Sequence, residues 1–326
     1  MQYIVRKIGF YIVTLWIAVT LNFIIPRLMP GDPASAMFAN FQGRMNPQEY
    51  AALKAALGFT NDNVFKQYLT YLWNLLHFNL GTSFTHFPVP VRTVIFQDLP
   101  WTLLLVGLAV SISFLIGTLS GIYAAWRRGS RFDNSMPPFL LFFQAFPPFY
   151  IGLALIFFVA LKLGWFPLGH AYDFNANRGF NLGFIGSVLY HAVMPVFVLV
   201  LTTLGGWALG MRNNMVASLG EEYITMAEAK GLSQRRVMLN YAARNAILPQ
   251  VTSFALALGF IVGGQILIET VFSYPGVGYD MYQAANQQDY PLLQGLLLFI
   301  VLAVLIVNFL TDLLYVKLDP RVAAER

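Results

Sequence analysis

Six stretches of the chain are apolar for long enough to cross a bilayer, and most polar residues lie between them. They run from about Ile8 to Ile25, Leu99 to Trp126, Pro137 to Leu161, Val188 to Leu209, from after Pro249 to Phe272, and from Leu292 to Leu314. About 20 apolar residues in a helix span a hydrocarbon core of roughly 30 Å. A helix also satisfies its own backbone in lipid. The pattern predicts an all-α membrane protein with six transmembrane helices. The expected divisions are a first helix at 1–28, an outer loop at 29–98, a five-helix core at 99–314 and a tail at 315–326.

The 29–98 segment is too long for a simple connector. Asn46-Pro47-Gln48-Glu49 reads as a cap, a proline at the first helical position and an acid in the first turn, with Gly58 as a stop. A second helical stretch, Phe65 to Phe78, carries Tyr68, Leu69, Leu72, Trp73, Leu75 and Leu76 and is expected on the membrane surface or the bundle. The first span follows Arg6-Lys7 and precedes Ala34-Ser35-Ala36, which resembles a cleavage site. Its apolar run exceeds the 7–15 residues of a signal peptide, and the small residues lie beyond Pro26, Arg27 and Pro30, so an uncleaved helix is expected.

Composition agrees with the pattern. Hydrophobic residues make up 57% of the 326, and charged residues 11%, against roughly 25% in soluble domains. The distribution of Lys and Arg then orients the spans. With the N-terminus inside, the cytoplasmic segments hold Arg127, Arg128 and Arg131 in one short loop, and most of the remaining basic residues. Most outer ones fall in the long 29–98 segment, where the rule counts for less. Both termini are therefore expected in the cytoplasm. Trp101, Trp126, Trp165 and Phe166 fall near span ends, as belt anchors do.

Several chemistries are missing. There is no cysteine, which removes disulfides and thiolate sites. The four histidines are scattered, without an H-E-x-x-H pair, and neither a G-x-x-x-x-G-K-[ST] loop nor a G-x-S-x-G elbow occurs. No catalytic residue, metal site, cofactor or nucleic-acid partner is expected. The few ionisable residues inside the spans are candidates by default. Glu269 lies near the outer end of the fifth span, with Gln265 one turn before it and Gly263-Gly264 permitting close helix approach. This polar seam suits a water-lined path, or else Glu269 caps the adjacent loop. Asp312, one turn after Asn308, reads as an interfacial or helix-packing residue.

The segment from Arg212 to Leu248 has a different character. Glu221-Glu222-Tyr223-Ile224-Thr225-Met226-Ala227-Glu228-Ala229-Lys230 is rich in helix formers, Gly231 can end that helix, and Ser233 can cap the next. Ala227 and Ala229 would let the short helix lie close against a partner surface. Such a knob could pass rigid-body motion into the fourth and fifth spans. Alternatively the segment is an amphipathic connector on lipid headgroups, assisted by Arg235 and Arg236.

This loop resembles the cytoplasmic motif of ABC importer permeases, in the form of the dipeptide, oligopeptide and nickel branch. The resemblance is carried by Ala227-x-Ala229-Lys230-Gly231-Leu232-Ser233 and by Tyr241-Ala242-Ala243-Arg244-Asn245-Ala246-Ile247-Leu248-Pro249. Glu269-Thr270-Val271-Phe272-Ser273-Tyr274-Pro275-Gly276-Val277-Gly278, Pro30-Gly31-Asp32-Pro33, Asp289-Tyr290-Pro291 and Leu318-Asp319-Pro320-Arg321 are similar to the same branch. It covers essentially the whole chain, and the long first outer loop matches the first permease of a pair. Two departures stand out: Phe78-Asn79-Leu80-Gly81 where the family often reads Gly-Asp-Leu-Gly, and Glu228 where a basic residue is common.

The resemblance implies a type I importer permease in the cell (inner or plasma) membrane. It implies a second homologous permease, two cytoplasmic ABC ATPases that carry out ATP hydrolysis, and an extracytoplasmic substrate-binding protein. Within the 212–248 loop, ATPase coupling falls on Glu222, Ala227, Glu228, Ala229, Lys230 and Gly231. Path candidates are Gln265, Glu269 and Trp207, and an outer-gate loop is placed at Tyr274, Pro275 and Gly276. Peptides are the first substrate expectation. Oligosaccharides such as β-linked plant sugars are the alternative, from the Gly164–Tyr172 stretch and the Gly205–Asn213 run. A stand-alone carrier or channel is the distant alternative.

Overall fold

Long apolar runs form long helices here because a helix satisfies its own backbone along most of its length. The computed structural model describes residues 2–28 and 63–318, and the secondary structure there is helical apart from one isolated bridge, Thr82 with Pro90. The Asn46–Gly58 helix, the Pro30–Pro33 and Ala34–Ala36 motifs and residues 319–326 lie outside the described residues, as does the side chain of Asp312. The helices are α1 (Gln2–Leu28), α2 (Val64–Leu76), α3 (Val91–Trp126), α4 (Arg131–Gln144) and α5 (Pro148–Lys162, π-helical from Ile156). They continue with α6 (Leu182–Leu219), α7 (Glu222–Ala229), α8 (Gln234–Ala246, π-helical over Val237–Ala243) and α9 (Leu248–Gly263, 3₁₀ from Ile261). Last come α10 (Ile266–Val271), α11 (Val277–Asn286) and α12 (Tyr290–Leu318).

Three of these, α3, α6 and α12, are long and apolar enough to cross a membrane, and the number rises to five if the bent pairs α4 with α5 and α8 with α9 each count as one span. α1 carries a shorter apolar stretch, Gly9–Ile25. The helices outrun the apolar patterns: α3 starts at Val91 rather than Leu99, and α6 ends at Leu219 rather than Leu209.

The third and fifth runs do not form straight helices. The third turns through 87° between α4 and α5 at Ala145-Phe146-Pro147. The proline disfavours helix at the residue before it and then opens the next helix at its cap, where a missing N–H costs nothing. The fifth run stops at Gly264, whose φ of 69° and ψ of −176° lie in a region essentially reserved for glycine. Gly263-Gly264 therefore marks a break in the run. Gln265 takes the cap position of α10 in non-helical geometry, φ −124° and ψ 75°, one turn before Glu269, whose N–H donates to the Gln265 carbonyl at 2.9 Å.

The chain divides into two compact units, one formed by the residues up to Trp101 with those from Pro275 onward, the other by Thr102–Tyr274. In the first, α1 packs along α12 and α11 packs on α12. Pro26, inside α1, has no N–H for the carbonyl of Asn22. That carbonyl takes the Gln294 side-chain amide instead, at 3.2 Å, while Asn22 Nδ2 donates to the Gln294 carbonyl at 2.7 Å. A core forms where Val91, Val94 and Ile95 meet Val277, Ala284, Leu292 and Leu296.

In the same unit Asp289, fully buried, holds the turn that precedes α3. Its Oδ2 accepts from Ser83 Oγ (2.6 Å), Phe84 N (2.7 Å), Thr85 N (2.9 Å) and Thr85 Oγ1 (2.9 Å), and its Oδ1 accepts from Leu292 N (3.1 Å). A buried carboxylate needs such partners, and this explains the acid in Asp289-Tyr290-Pro291. Asn79 Oδ1 accepts from Gly81 N at 3.1 Å, so the amide does locally what an aspartate could do there.

In the second unit the close approach is between α3 and α6. A Cβ on Gly117 would lie 2.5 Å from the Cβ of Trp207, and one on Gly121 would lie 2.4 Å from the carbonyl oxygen of Ala208. Gly117-x-x-x-Gly121 is thus the small-residue crossing of this fold, a signal in the sequence that the patterning above passes over.

Candidate functional site

The loop between α6 and α9 folds back on the helix that leads into it. α7 starts with Glu221 in the cap position and Glu222 in its first turn, where a negative charge suits the helix dipole. Its C-terminus is closed by a 6→1 and a 5→2 backbone bond: Leu232 N to Ala227 O at 3.4 Å and Gly231 N to Glu228 O at 2.8 Å. Both need a left-handed residue at Gly231, which has φ +72°. Ser233 takes the cap position of α8, as its sequence suggests, but its side chain makes no cap hydrogen bond.

Ile224 and Ala227 form the inner face of α7. They pack with Met211 and Met215 of α6, Ile122 and Ala125 of α3, and Val237, Ala242, Ala243 and Ala246 of α8, with Leu232 alongside. Ser218 Oγ lies 2.6 Å from Tyr223 Oη and donates to the Ala242 carbonyl at 3.1 Å, closing the loop onto α6. Ala227 is 2% exposed, so its small side chain serves this chain's own packing rather than an outer surface. Glu222, Thr225, Met226, Glu228, Ala229, Lys230 and Gly231 form the exposed face. Beside it lies an open cleft of about 720 Å³, lined in part by Trp126, Arg127, Arg128, Glu228 and Gln234.

A feature the sequence reading missed ties this region to α4. Arg212 of α6 donates to Asp133 through Nε (2.5 Å to Oδ1) and Nη2 (3.1 Å to Oδ2). Asp133 also accepts from Gly129 N at 3.0 Å, and Ser130 Oγ accepts from Asp133 N at 3.2 Å. Ser130-x-x-Asp133 before an apolar run carries the capping signal, but its partner is far away in sequence.

The path candidates do not share one environment. Glu269 has no exposed surface; its Oε1 accepts from Gln265 N at 3.2 Å and from Thr102 Oγ1 at 3.1 Å. This placement favours capping for that carboxylate. Gln265 is exposed. Trp207 is half-buried, its ring edge-on to Phe114 at 5.4 Å, while Phe114 stacks on Phe254 at 4.3 Å. Of the outer-gate residues, Tyr274 is fully buried and donates its N–H to the Glu269 carbonyl at 2.7 Å. Pro275 and Gly276 lead into α11, with Gly276 at its cap position.

In the Gly164–Tyr172 stretch, a Cβ on Gly169 would lie 2.5 Å from the Phe272 carbonyl oxygen, and His170 N donates to that oxygen at 2.8 Å. Backbone approach accounts for that glycine without reference to a substrate.

Helices of this length and apolarity, broken twice and joined by a packed polar loop, define a multi-pass membrane protein. The chain belongs to the family of binding-protein-dependent transport system inner membrane components, whose model matches residues 117–324. It is a permease component residing in the inner membrane. It is 34% identical to the di/tripeptide transport system permease protein DppB of Pseudomonas aeruginosa (strain UCBPP-PA14), over 100% of both chains. It is 32% identical to the oligopeptide transport system permease protein AppB of Bacillus subtilis (strain 168), over 98% of each. To the dipeptide transport system permease protein DppB of Escherichia coli (strain K12) it is 34% identical, over 99% of this chain and 98% of that one.

Proposed function

We propose that this chain is one of two permeases in an ATP-driven importer of short peptides. α7 would be its contact with a cytoplasmic ATPase. The observation that carries the coupling role is the two-faced build of α7. Its inner face is locked into α3, α6 and α8, so a force on the outer face reaches those helices without slack. The docking surface is then Glu222, Glu228, Ala229, Lys230 and Gly231 with Met226, and Ala227 acts from the inside as the packing point.

In this reading α1, α3, the α4–α5 pair, α6, the α9–α10 pair and α12 make six crossings, with both ends in the cytoplasm and 29–98 as an outer cap. ATP hydrolysis occurs on two separate ATPase subunits, and an extracytoplasmic binding protein delivers substrate. Peptides are favoured over oligosaccharides because the relatives above carry peptide, dipeptide and oligopeptide names.

The test is uptake into proteoliposomes holding this chain, its paired permease and ATPases, with binding protein and labelled trialanine outside. ATP-dependent accumulation is expected. Uptake by the lone chain without ATP would overturn the subunit reading. ATP-driven uptake of a β-linked oligosaccharide with none of trialanine would overturn the substrate.

A further inference from the structure

The break in the fifth apolar run is held in place by the surrounding structure. Among the described residues no hydrogen bond passes from the residues before Gly264 to the amides of Ile266, Leu267 or Ile268. Fraying would be the simple explanation, but the side after Gly264 is fixed. The buried Glu269 carboxylate accepts the Gln265 N–H and the Thr102 hydroxyl, and its backbone carbonyl accepts the Tyr274 N–H. α10 packs on α5, where a Cβ on Gly152 would lie 3.1 Å from the Phe272 ring.

Depth makes the break informative. α9 covers roughly 24 Å at 1.5 Å per residue, short of a hydrocarbon core of roughly 30 Å, and apolar Ile266, Leu267 and Ile268 follow. Irregular backbone at membrane depth is tolerated against protein or water and not against lipid. The Gln265 side chain is exposed and has no hydrogen-bond partner among the described residues. It offers a carbonyl acceptor and two N–H donors, and the freed backbone beside it offers more of the same chemistry.

Resting on the importer reading above, we propose that the Gly264–Gln265 break is a substrate-contact site on the translocation path, pairing with the main-chain amides of a passing peptide. Glu269 is its positioning residue. It holds the break open from behind without touching substrate. Amide-to-amide pairing ignores substrate side chains, which suits a path that must pass peptides of varied sequence.

The chain contains no cysteine, so Gln265→Cys supplies its only thiol. The variant is assembled into the full importer with cysteine-free partner subunits. It is then treated with an anionic, membrane-impermeant methanethiosulfonate during ATP-driven turnover, with and without trialanine on the binding protein. Labelling is expected, and trialanine should abolish it. Glu269→Gln keeps an acceptor oxygen for Gln265 N–H and should preserve both import and protection. Glu269→Ala should lose the protection and raise KM for trialanine, with the amount of assembled complex unchanged.

With wild-type import intact, three results would overturn the proposal alone. They are labelling only by a lipid-soluble maleimide, no labelling by either reagent, and labelling that trialanine leaves unaltered. Absence of ATP-driven trialanine uptake by the wild-type complex would instead overturn the importer reading, and this one with it.

Discussion

Arg212 grips Asp133 with two nitrogens at once, across 79 positions of sequence, and so fixes the start of α4 to the lower part of α6. Asp133 is 3% exposed. Arg212→Ala would strand its charge and is expected to lower stability by about 2 kcal/mol, the cost of an unpaired buried charge reduced for Arg212's partial exposure. Arg212→Lys keeps the charge but loses the planar fork and should fall between. Thermal unfolding of the purified complex in detergent measures both. An Arg212→Ala protein as stable as wild type would show the pair to be energetically idle.

Asp289 is the acceptor for five donors. Asp289→Ala leaves three backbone N–H groups and two hydroxyls without the oxygen they face. A loss of about 3 kcal/mol is expected from groups left unsatisfied. Asp289→Asn keeps one carbonyl oxygen and should cost less. Limited proteolysis around residues 82–86 reports the turn directly, and unchanged cleavage in Asp289→Ala would refute the clamp.

Gly231 separates backbone geometry from docking. No heavy atom lies within 4 Å of a Cβ built there, so a side chain would meet only what docks outside. Asparagine tolerates the left-handed region, so Gly231→Asn should retain the α7 terminus and most ATP-driven uptake. Gly231→Trp should abolish uptake while the chain remains in the membrane. Equal uptake by the two variants would remove the docking role from this turn.

Phe78 stands at φ +54° and is 84% exposed, at a position where the resembling family often has glycine. The left-handed backbone costs a residue with a Cβ about 1 kcal/mol or more. Phe78→Gly relieves that cost but loosens the unfolded chain, and a net gain of about 0.5 kcal/mol in thermal unfolding is expected. Destabilisation would mean that the ring makes a contact in the assembled transporter.

The apolar pattern was legible because lipid imposes it. The long α3, α6 and α12 follow from side chains that must face hydrocarbon, whatever packs on them. The Gly231 turn was legible for a similar reason, since only local backbone geometry is needed. The breaks were not. Apolar residues continue through Ala145-Phe146 and through Ile266-Leu267-Ile268, so hydropathy cannot distinguish an interrupted helix from a straight one. Gly263-Gly264 did not announce the break it makes, and the close crossing at Gly117 and Gly121 went unread, because the residues opposite a glycine decide which role it takes.

The sequence by itself determined that this chain is a helical membrane protein, which family it resembles, and where its 212–248 loop turns. Those properties depend on local composition and short motifs. Tertiary structure alone decided that Ala227 faces inward, that Glu269 caps a break instead of lining a surface, and that Asp133 meets Arg212. Each of these depends on which distant side chain occupies the neighbouring space. The physical cause is the same in all three: burial and pairing are properties of two surfaces in contact, and one stretch of chain supplies only one of them.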